Sequence, residues 1–237
     1  MDDASSRFLD AFTAIDRHLR HLAQADRHTP FSGLVARAAA KDAAVRRLKE
    51  ALTELADLRN LVVHTYSGRA PLASPSGHAL ERVEAIRGEL LSPPRVFPAF
   101  AKAVAVCGPA EPVGAAVARM HQGSFSQIPV YQGGQLVGLL TSETVARWLA
   151  SRLAGGVGLL EEEPVAKVLG HQEGGREHQV LAHAATVFDA LEAFEGCCRA
   201  GRVLDALLLT PGGSKAELPT GIITVADVPE LQRHIRA

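Results

Sequence analysis

The chain has 237 residues, 47% of them apolar and 22% charged, which is ordinary for a soluble globular protein of one large or two modest domains. The net charge is −1, and residues 1–92 hold 13 Lys and Arg against 12 Asp and Glu. Because tight binding to a nucleic-acid backbone needs a clear positive excess, constitutive RNA or DNA binding is not favoured. Brief contact with an RNA substrate stays open.

The polar start of the chain and its short apolar runs predict a cytoplasmic protein that does not enter a membrane. Met1-Asp-Asp-Ala-Ser-Ser does not resemble a signal peptide, and no apolar run approaches the roughly 20 residues of a membrane span. The three cysteines give no disulfide framework, and no Cys and His spacing matches a zinc site. We therefore expect no metal and no required cofactor, with Cys197-Cys198 as packing residues.

Apolar residues in the first part of the chain recur at steps of three and four, the spacing of amphipathic helices. The predicted helices cover residues 8–22, 45–62 and 80–90. Thr29-Pro30 and a segment rich in Gly, Pro and Ser at residues 67–77 separate them, and Pro93-Pro94 ends the last. We predict an all-α helical bundle at residues 1–94.

After residue 94 the pattern changes to short strand-like runs that alternate with helical stretches, and the same order occurs twice. The first copy has strands at 104–107, 128–131 and 136–141 and helices at 113–120 and up to 153. The second has strands at 179–182, 204–210 and 221–224, a helix at 187–194 and a final helix after 227. The fold class is α+β in two domains, with a first repeat at 95–160 and a second at 161–237.

Three motifs carry a family resemblance. They are Ser126-Gln-Ile-Pro-Val130, Leu136-Val-Gly-Leu-Leu-Thr141 and Gly221-Ile-Ile-Thr-Val-Ala-Asp227. Together with the doubled order they resemble tandem cystathionine-β-synthase (CBS) domains, whose β-α-β-β-α repeats pack in pairs. The resemblance covers about 140 residues and implies regulation by an adenine nucleotide.

Thr224 and Asp227 are the strongest candidates for ligand contacts. A strand that ends at Thr224 and a helix that begins near Asp227 place both side chains at a helix N-terminus, where free backbone N–H groups can bind phosphate. The carboxylate can accept both hydroxyls of a ribose, and the threonine hydroxyl can donate to sugar or phosphate oxygens. The resemblance implies AMP, ADP, ATP or another adenosyl ligand, with adenine near Ala182, His183 and Ala206.

The corresponding surroundings in the first copy are Gly108, Ile128, Thr141 and Thr144. Thr144 stands where the resemblance predicts the ribose-binding aspartate, so we expect one good nucleotide site rather than two. The alternative is that Thr224 and Asp227 only cap the last helix, a contribution of about 1 kcal/mol. Ala206 and Ile128 are then plain core residues.

The helical part has a motif of its own, Arg59-x4-His64-x-Tyr66, near a helix end. It is similar to the motif of HEPN domains, helical proteins that include metal-independent ribonucleases and act as homodimers. Asn60 and His64 lie four residues apart on one face, so the amide can orient the imidazole. Histidine can transfer protons near neutral pH, and arginine can stabilise the charged phosphorane. Tyr66 would lie beside the cleft.

A structural role for the same motif is the alternative. His64 would then be a favourable helix C-terminal residue, Arg59 would pair with Glu54 or Asp57, and Tyr66 would be core. Three hypotheses follow for the whole chain. The first is a homodimeric regulator whose CBS pair binds an adenosyl ligand and controls the HEPN-like domain. The second is a ribonuclease gated by that ligand, and the third is a ligand-free dimerisation module.

Overall fold

The computed structural model describes residues 3–63, 74–153 and 160–236. Contacts divide the chain into two compact units. The helical unit comprises Met1–Pro94, Thr186–Glu192 and Pro229–Ala237, and the mixed unit comprises Arg95–Ala185 and Ala193–Val228. The break after Pro94 is where the predicted helical bundle ends. The helical unit also takes in two short stretches of the second repeat.

The helical unit contains five helices from the first part of the chain: α1 (Asp3–Ala23), α2 (Phe31–Ala39), α3 (Ala43–Arg47), α4 (Lys49–Val63) and α5 (Gly77–Leu91). The predicted apolar stripe of α1 is buried, with Phe8, Ile15 and Leu19 fully inaccessible. Phe188, from the short stretch 186–192, is buried in the same core. The prediction of a helical N-terminal region is therefore confirmed.

The predicted continuous helix over residues 45–62 was wrong at one point, because the chain turns at Leu48 between α3 and α4. Asp42 caps α3 by accepting a hydrogen bond from the Val45 N–H at 2.9 Å. Val45, Leu48 and Leu52 are all buried on the two sides of the turn. Apolar spacing therefore continues through the break, which is why periodicity did not reveal it.

The first repeat contains α6 (Val113–Gln122), β1 (Gln127–Gln132), β2 (Gln135–Thr141) and α7 (Ser142–Leu153). The two strands form an antiparallel hairpin, with Ile128 opposite Leu140. The predicted strand at 104–107 is reduced to a single parallel bridge between Cys107 and Val130. A 3-10 turn (Leu160–Glu162) and α8 (Val165–Leu169) lead onward.

The second repeat contains β3 (Arg176–Ala182), α9 (Val187–Arg199), β4 (Val203–Thr210) and β5 (Gly221–Ile223). A 3-10 turn (Val225–Asp227) and α10 (Val228–Arg233) follow. Strand β3 is parallel to β4, and β4 is antiparallel to β5. In the first repeat, Cys107 is parallel to β1 and β1 is antiparallel to β2, so both copies share one pattern.

The two repeats share a small apolar cluster within the mixed unit. Tyr131 and Leu136 from the β1–β2 hairpin pack with Leu208 from β4, and all three are buried. The Tyr131 hydroxyl also donates to the backbone carbonyl of Glu217 at 2.8 Å. These contacts hold the β1–β2 hairpin of the first repeat against β4 and the segment that precedes β5 in the second repeat.

Helix α4 provides a matched test of the helical core. Leu52 is fully buried, whereas Leu61 on the same helix is 49% exposed. We expect Leu52→Ala to lower the free energy of unfolding by about 2–5 kcal/mol because it leaves a cavity, and Leu61→Ala to change it by less than about 0.5 kcal/mol. Urea unfolding followed by far-UV circular dichroism measures both, and equal losses would contradict the assigned burial.

The three thiols provide a second test of burial. Cys107 and Cys197 are buried and Cys198 is exposed. Burial raises the pKa of Cys107 to about 11 and also raises the pKa of Cys197 above its ordinary value. Because the thiolate is the reactive form, we expect a thiol-disulfide reagent at pH 8 to label Cys198 alone in the folded protein and all three cysteines in denaturant. In the folded Cys198→Ser variant, fast labelling of either remaining thiol would contradict this assignment.

Candidate functional site

A cavity of about 920 Å³ lies within the mixed unit, and Thr224 and Asp227 are on its wall. The rest of the lining comes mainly from the first repeat, in three groups: the segment 102–105, the end of α6 and the loop before β1. Small-molecule sites in proteins usually have volumes of roughly 300–1,000 Å³. The cavity is therefore large enough for a nucleoside with phosphate.

Thr224 and Asp227 form a capping pair. Oδ2 of Asp227 accepts hydrogen bonds from the Thr224 backbone N–H at 2.8 Å and from Thr224 Oγ1 at 3.0 Å. Within the described part of the chain no hydrogen bond ends on Oδ1 of Asp227. The second carboxylate oxygen can therefore accept a bond from a ligand hydroxyl without breaking the cap.

Two of the backbone N–H groups at this helix start are already bonded within the protein. The Thr224 N–H is bonded to Asp227, and the Asp227 N–H is bonded to the Thr224 carbonyl at 2.9 Å. A 3-10 turn stands between Thr224 and α10, which is only six residues long. Neither of these two N–H groups is therefore available to a phosphate.

A second capping pair in the same chain has the same chemistry. The Asp189 carboxylate accepts from both the backbone N–H and the hydroxyl of Thr186 at 2.8 Å, at the start of α9. Thr186 and Asp189 do not line the cavity. A Thr–Asp capping pair therefore does not by itself indicate a ligand site. Thr224 and Asp227 differ from Thr186 and Asp189 in that they line the cavity.

The segment 100–103 pairs with the start of β5, and Lys102 and Ala103 within it line the cavity. Ala101 makes an antiparallel bridge to Gly221, and the Lys102 N–H donates to the Thr220 carbonyl at 3.0 Å. A Cβ atom on Gly221 would lie 2.5 Å from the Phe100 carbonyl oxygen, so this approach requires glycine. The pairing brings Lys102 to the cavity that Thr224 and Asp227 line.

The loop between α6 and β1 closes another side of the cavity. Gly123 has no side chain, and the ring of Phe125 occupies the place where a Cβ atom would be, 2.2 Å from the nearest ring carbon. Ser124 follows with φ of +52°, an unusual conformation for a non-glycine residue. Ser126 and Gln127 then add polar groups at the rim. The loop supplies an aromatic ring and hydroxyls to one cavity.

The corresponding threonines of the first repeat are closed to solvent. Thr141 and Thr144 are 5% and 1% exposed, and their hydroxyls bond to each other at 2.9 Å. Ile128 is fully buried in the core of this repeat. Gly108 donates its N–H to Glu111 at 3.4 Å. None of these four residues lines the large cavity.

The three residues expected near adenine lie in β3, in the turn after it and in β4. Ala182 ends β3, and Ala206 is fully buried in β4. The His183 ring stacks on Phe97 with centroids 3.8 Å apart, and its Nε2 lies 2.7 Å from Thr220 Oγ1. None of the three lines the cavity beside Thr224. Because Leu207 pairs with Ile223, Ala206 lies at the level of Thr224 in the sheet, and the adenine contacts of the three residues stay a prediction.

Sequence reasoning missed the first-repeat side of this cavity. The predicted ligand contacts around Thr224 and Asp227 all came from the second copy, whereas most of the wall of this cavity comes from the first. The missed residues are Lys102, Val104, Val117, His121, Phe125, Ser126, Gln127 and Ser142. The signal in the sequence was Ser124-Phe-Ser126, where an aromatic residue stands between two hydroxyls directly before a strand.

The helical unit has a separate cavity of about 750 Å³, and Arg59 and Asn60 of the second motif are on its wall. Arg59 donates to the Asn60 amide oxygen at 3.3 Å. The alternative pairing with Glu54 is not observed, because Glu54 forms an ion pair with Arg82 at 2.8 Å. His64 and Tyr66 lie outside the described residues.

Among residues 3–63, 74–153 and 160–236 there is no helix with the length and apolar character of a membrane span. The same part of the chain has no group of three or more His, Cys, Asp or Glu side chains placed to hold a metal ion.

Several solved structures have a chain trace similar to part of this chain. MJ1225 from Methanocaldococcus jannaschii is 19% identical with a TM-score of 0.44, and the match covers 59% of this chain and 47% of that one. A CBS domain-containing protein from Kribbella flavida is 18% identical with a TM-score of 0.42, covering 57% and 96%. CBSX2, solved in complex with AMP, is 15% identical with a TM-score of 0.42, covering 59% and 96%.

The sequence comparisons locate the resemblance more narrowly. No curated protein matches this chain. The family model of the CBS domain matches residues 100–151, a range that includes α6, β1, β2 and most of α7. The predicted CBS resemblance is therefore confirmed for the first copy, and the resemblance of the helical part to HEPN domains stays a prediction.

Proposed function

We propose that the mixed unit is a sensor that binds an adenine nucleotide or a related adenosyl ligand in the cavity beside Thr224 and Asp227. The observation that carries this proposal is a cavity of about 920 Å³ lined by a carboxylate, a lysine, an aromatic ring and several hydroxyls. These groups match the parts of a nucleotide: Asp227 for the ribose hydroxyls, Lys102 for phosphate and apolar side chains for the base.

The regulated part in this proposal is the helical unit. The mixed unit ends at Val228, the residue after Asp227, and residues 229–237 belong to the helical unit. A ligand that binds Asp227 acts on the residue that caps this connecting segment. Regulation requires the ligand to prefer one conformation of the chain, because only that difference in affinity can be passed on.

A second candidate function is metal-independent ribonuclease activity. The supporting observation is that Arg59 and Asn60 line the cavity of the helical unit, and that Arg59 forms no ion pair within the described part of the chain. A guanidinium without a carboxylate partner is available to phosphate. A homodimer would bring two such motifs together, as the HEPN resemblance implies. If neither ligand nor cleavage is found, a dimerisation module is the remaining function.

The sensor is tested by Asp227→Ala with Asp189→Ala as its matched control. Both variants lose a capping pair of the same chemistry, but only Asp227 lies on the cavity. We expect an adenosine ligand at about 100 times its dissociation constant to stabilise the wild type by roughly 2.7 kcal/mol. Because charge-assisted hydrogen bonds are lost, Asp227→Ala should weaken binding about tenfold or more.

Thermal unfolding and titration calorimetry with AMP, ADP, ATP and adenosine measure these effects. Asp189→Ala should bind with the wild-type dissociation constant even though its melting temperature falls. Equal weakening in both variants would show that the carboxylate only caps a helix. No binding of any compound to the wild type would reject the sensor.

The ribonuclease is tested by Arg59→Ala and His64→Ala, with Arg87→Ala as the control. Arg87 is a surface residue that pairs with Glu84 at 3.1 Å and does not line the cavity of Arg59. We expect RNA cleavage that persists in chelator and falls by about 100-fold or more in the first two variants, since each removes charge stabilisation or proton transfer. Cleavage that is equal in all three variants would assign the activity to a contaminant.

A further inference from the structure

We propose that the cavity beside Asp227 selects a nucleoside monophosphate and rejects the corresponding triphosphate. This inference rests on the proposed function, since it concerns the ligand of the same cavity. It depends on two independent features. The first is the small number of cations on the cavity wall, and the second is a surplus of carboxylates immediately beyond one side of it.

Few positive charges line the cavity. Among the described residues that line it, Lys102 is the one lysine, His121 is the one histidine and there is no arginine. Asp227 lies on the same wall and offsets one charge. Lys102 forms no ion pair within the described residues, so its ammonium group is available. One phosphate monoester, with a charge of about −1.5 to −2 at neutral pH, is what this lysine can balance with help from hydroxyls.

A smaller cavity of about 230 Å³ adjoins the first. Ser126, Gln127 and Ser142 line both cavities, so they form a common wall. Beyond this wall the smaller cavity is lined by Glu143, Arg176 and Asp205. A phosphate chain that extended past Ser142 would enter this neighbourhood.

The carboxylates around Arg176 outnumber its single charge. Its guanidinium bonds to Asp205 and Glu143, and its Nε lies 3.6 Å from the Glu173 carboxylate. Glu173 also pairs with Arg147 at 3.3 Å. Asp205 is 7% exposed, and its Oδ2 is buried with no hydrogen-bond partner in the described part of the chain.

Arg176 and the carboxylates of Glu143, Glu173 and Asp205 form a cluster that repels a polyphosphate rather than attracting it. Its guanidinium is already bonded to two carboxylates, and one buried carboxylate oxygen is left without a donor. Like charges in a partly buried site repel one another more strongly than in water, because the effective dielectric constant is lower. The cluster adjoins the wall that the two cavities share, so a phosphate chain that is held at Lys102 and extends toward this wall is repelled at its second and third phosphates.

Titration calorimetry of the whole chain with AMP, ATP and adenosine in magnesium-free buffer tests the inference. We expect AMP to bind at least about tenfold tighter than ATP, and Lys102→Ala to weaken AMP by about tenfold while adenosine is unchanged. Glu143→Gln removes one carboxylate beside the shared wall and should improve ATP relative to AMP by about fivefold. Its matched control is Glu163→Gln, which removes the same charge from a residue that lines neither cavity.

The outcomes separate this inference from the proposed function. ATP binding as tightly as AMP, or an equal change of the ATP to AMP ratio in Glu143→Gln and Glu163→Gln, would overturn the selection by phosphate number and leave the sensor in place. Failure of all three compounds to bind the wild type would overturn the sensor and this inference together. Thermal unfolding of each variant without ligand establishes that it is folded.

Discussion

The pairing of the segment 100–103 with β5 is the interaction on which the candidate site depends. Ala101 forms a bridge to Gly221, and the Lys102 N–H donates to the Thr220 carbonyl. These two contacts hold the beginning of the first repeat against the last strand of the second. Without this pairing Lys102 would not share a cavity with Asp227. It also explains the glycine that opens the motif Gly221–Asp227, since the Phe100 carbonyl occupies the space of a Cβ atom at that position. Backbone packing therefore requires glycine at position 221, three residues before Thr224, the first candidate ligand contact.

Much of the fold could be predicted from the spacing of apolar residues within single segments. The buried stripe of α1, the antiparallel hairpin of β1 and β2, and the strand β4 were all predictable because each depends on the spacing of apolar residues along one segment. The turn at Leu48 was not predictable, because the same spacing continues through it. The strand expected at 104–107 is mostly absent for a related reason: a strand needs a partner along its length, and only Cys107 pairs with β1. Apolar character identifies a buried segment, but pairing decides whether it forms a strand.

The candidate site was predictable on one side only. Thr224 and Asp227 belong to a single short motif, so their types and spacing are visible in the sequence. Lys102 and Phe125 precede Asp227 by 125 and 102 residues, and they reach the same cavity through pairing between the repeats. A pattern within one short segment of sequence does not show which distant segments it contacts. The threonines of the first repeat show the converse: the motif is visible at Thr141 and Thr144, but their side chains bond to each other inside the core.

The capping pair also constrains how a ligand could act through Asp227. Both hydrogen bonds from Thr224 end on Oδ2, so a ribose hydroxyl that donates to Oδ1 adds a third bond without displacing the first two. Such a ligand would hold the carboxylate in its capping orientation and reinforce the start of the segment that continues into the helical unit. A ligand that took Oδ2 would have to replace the Thr224 bonds and would weaken the cap. The geometry therefore favours a ligand that orders this connection when bound, and its effect on the helical unit depends on how far the unliganded segment already populates the same conformation.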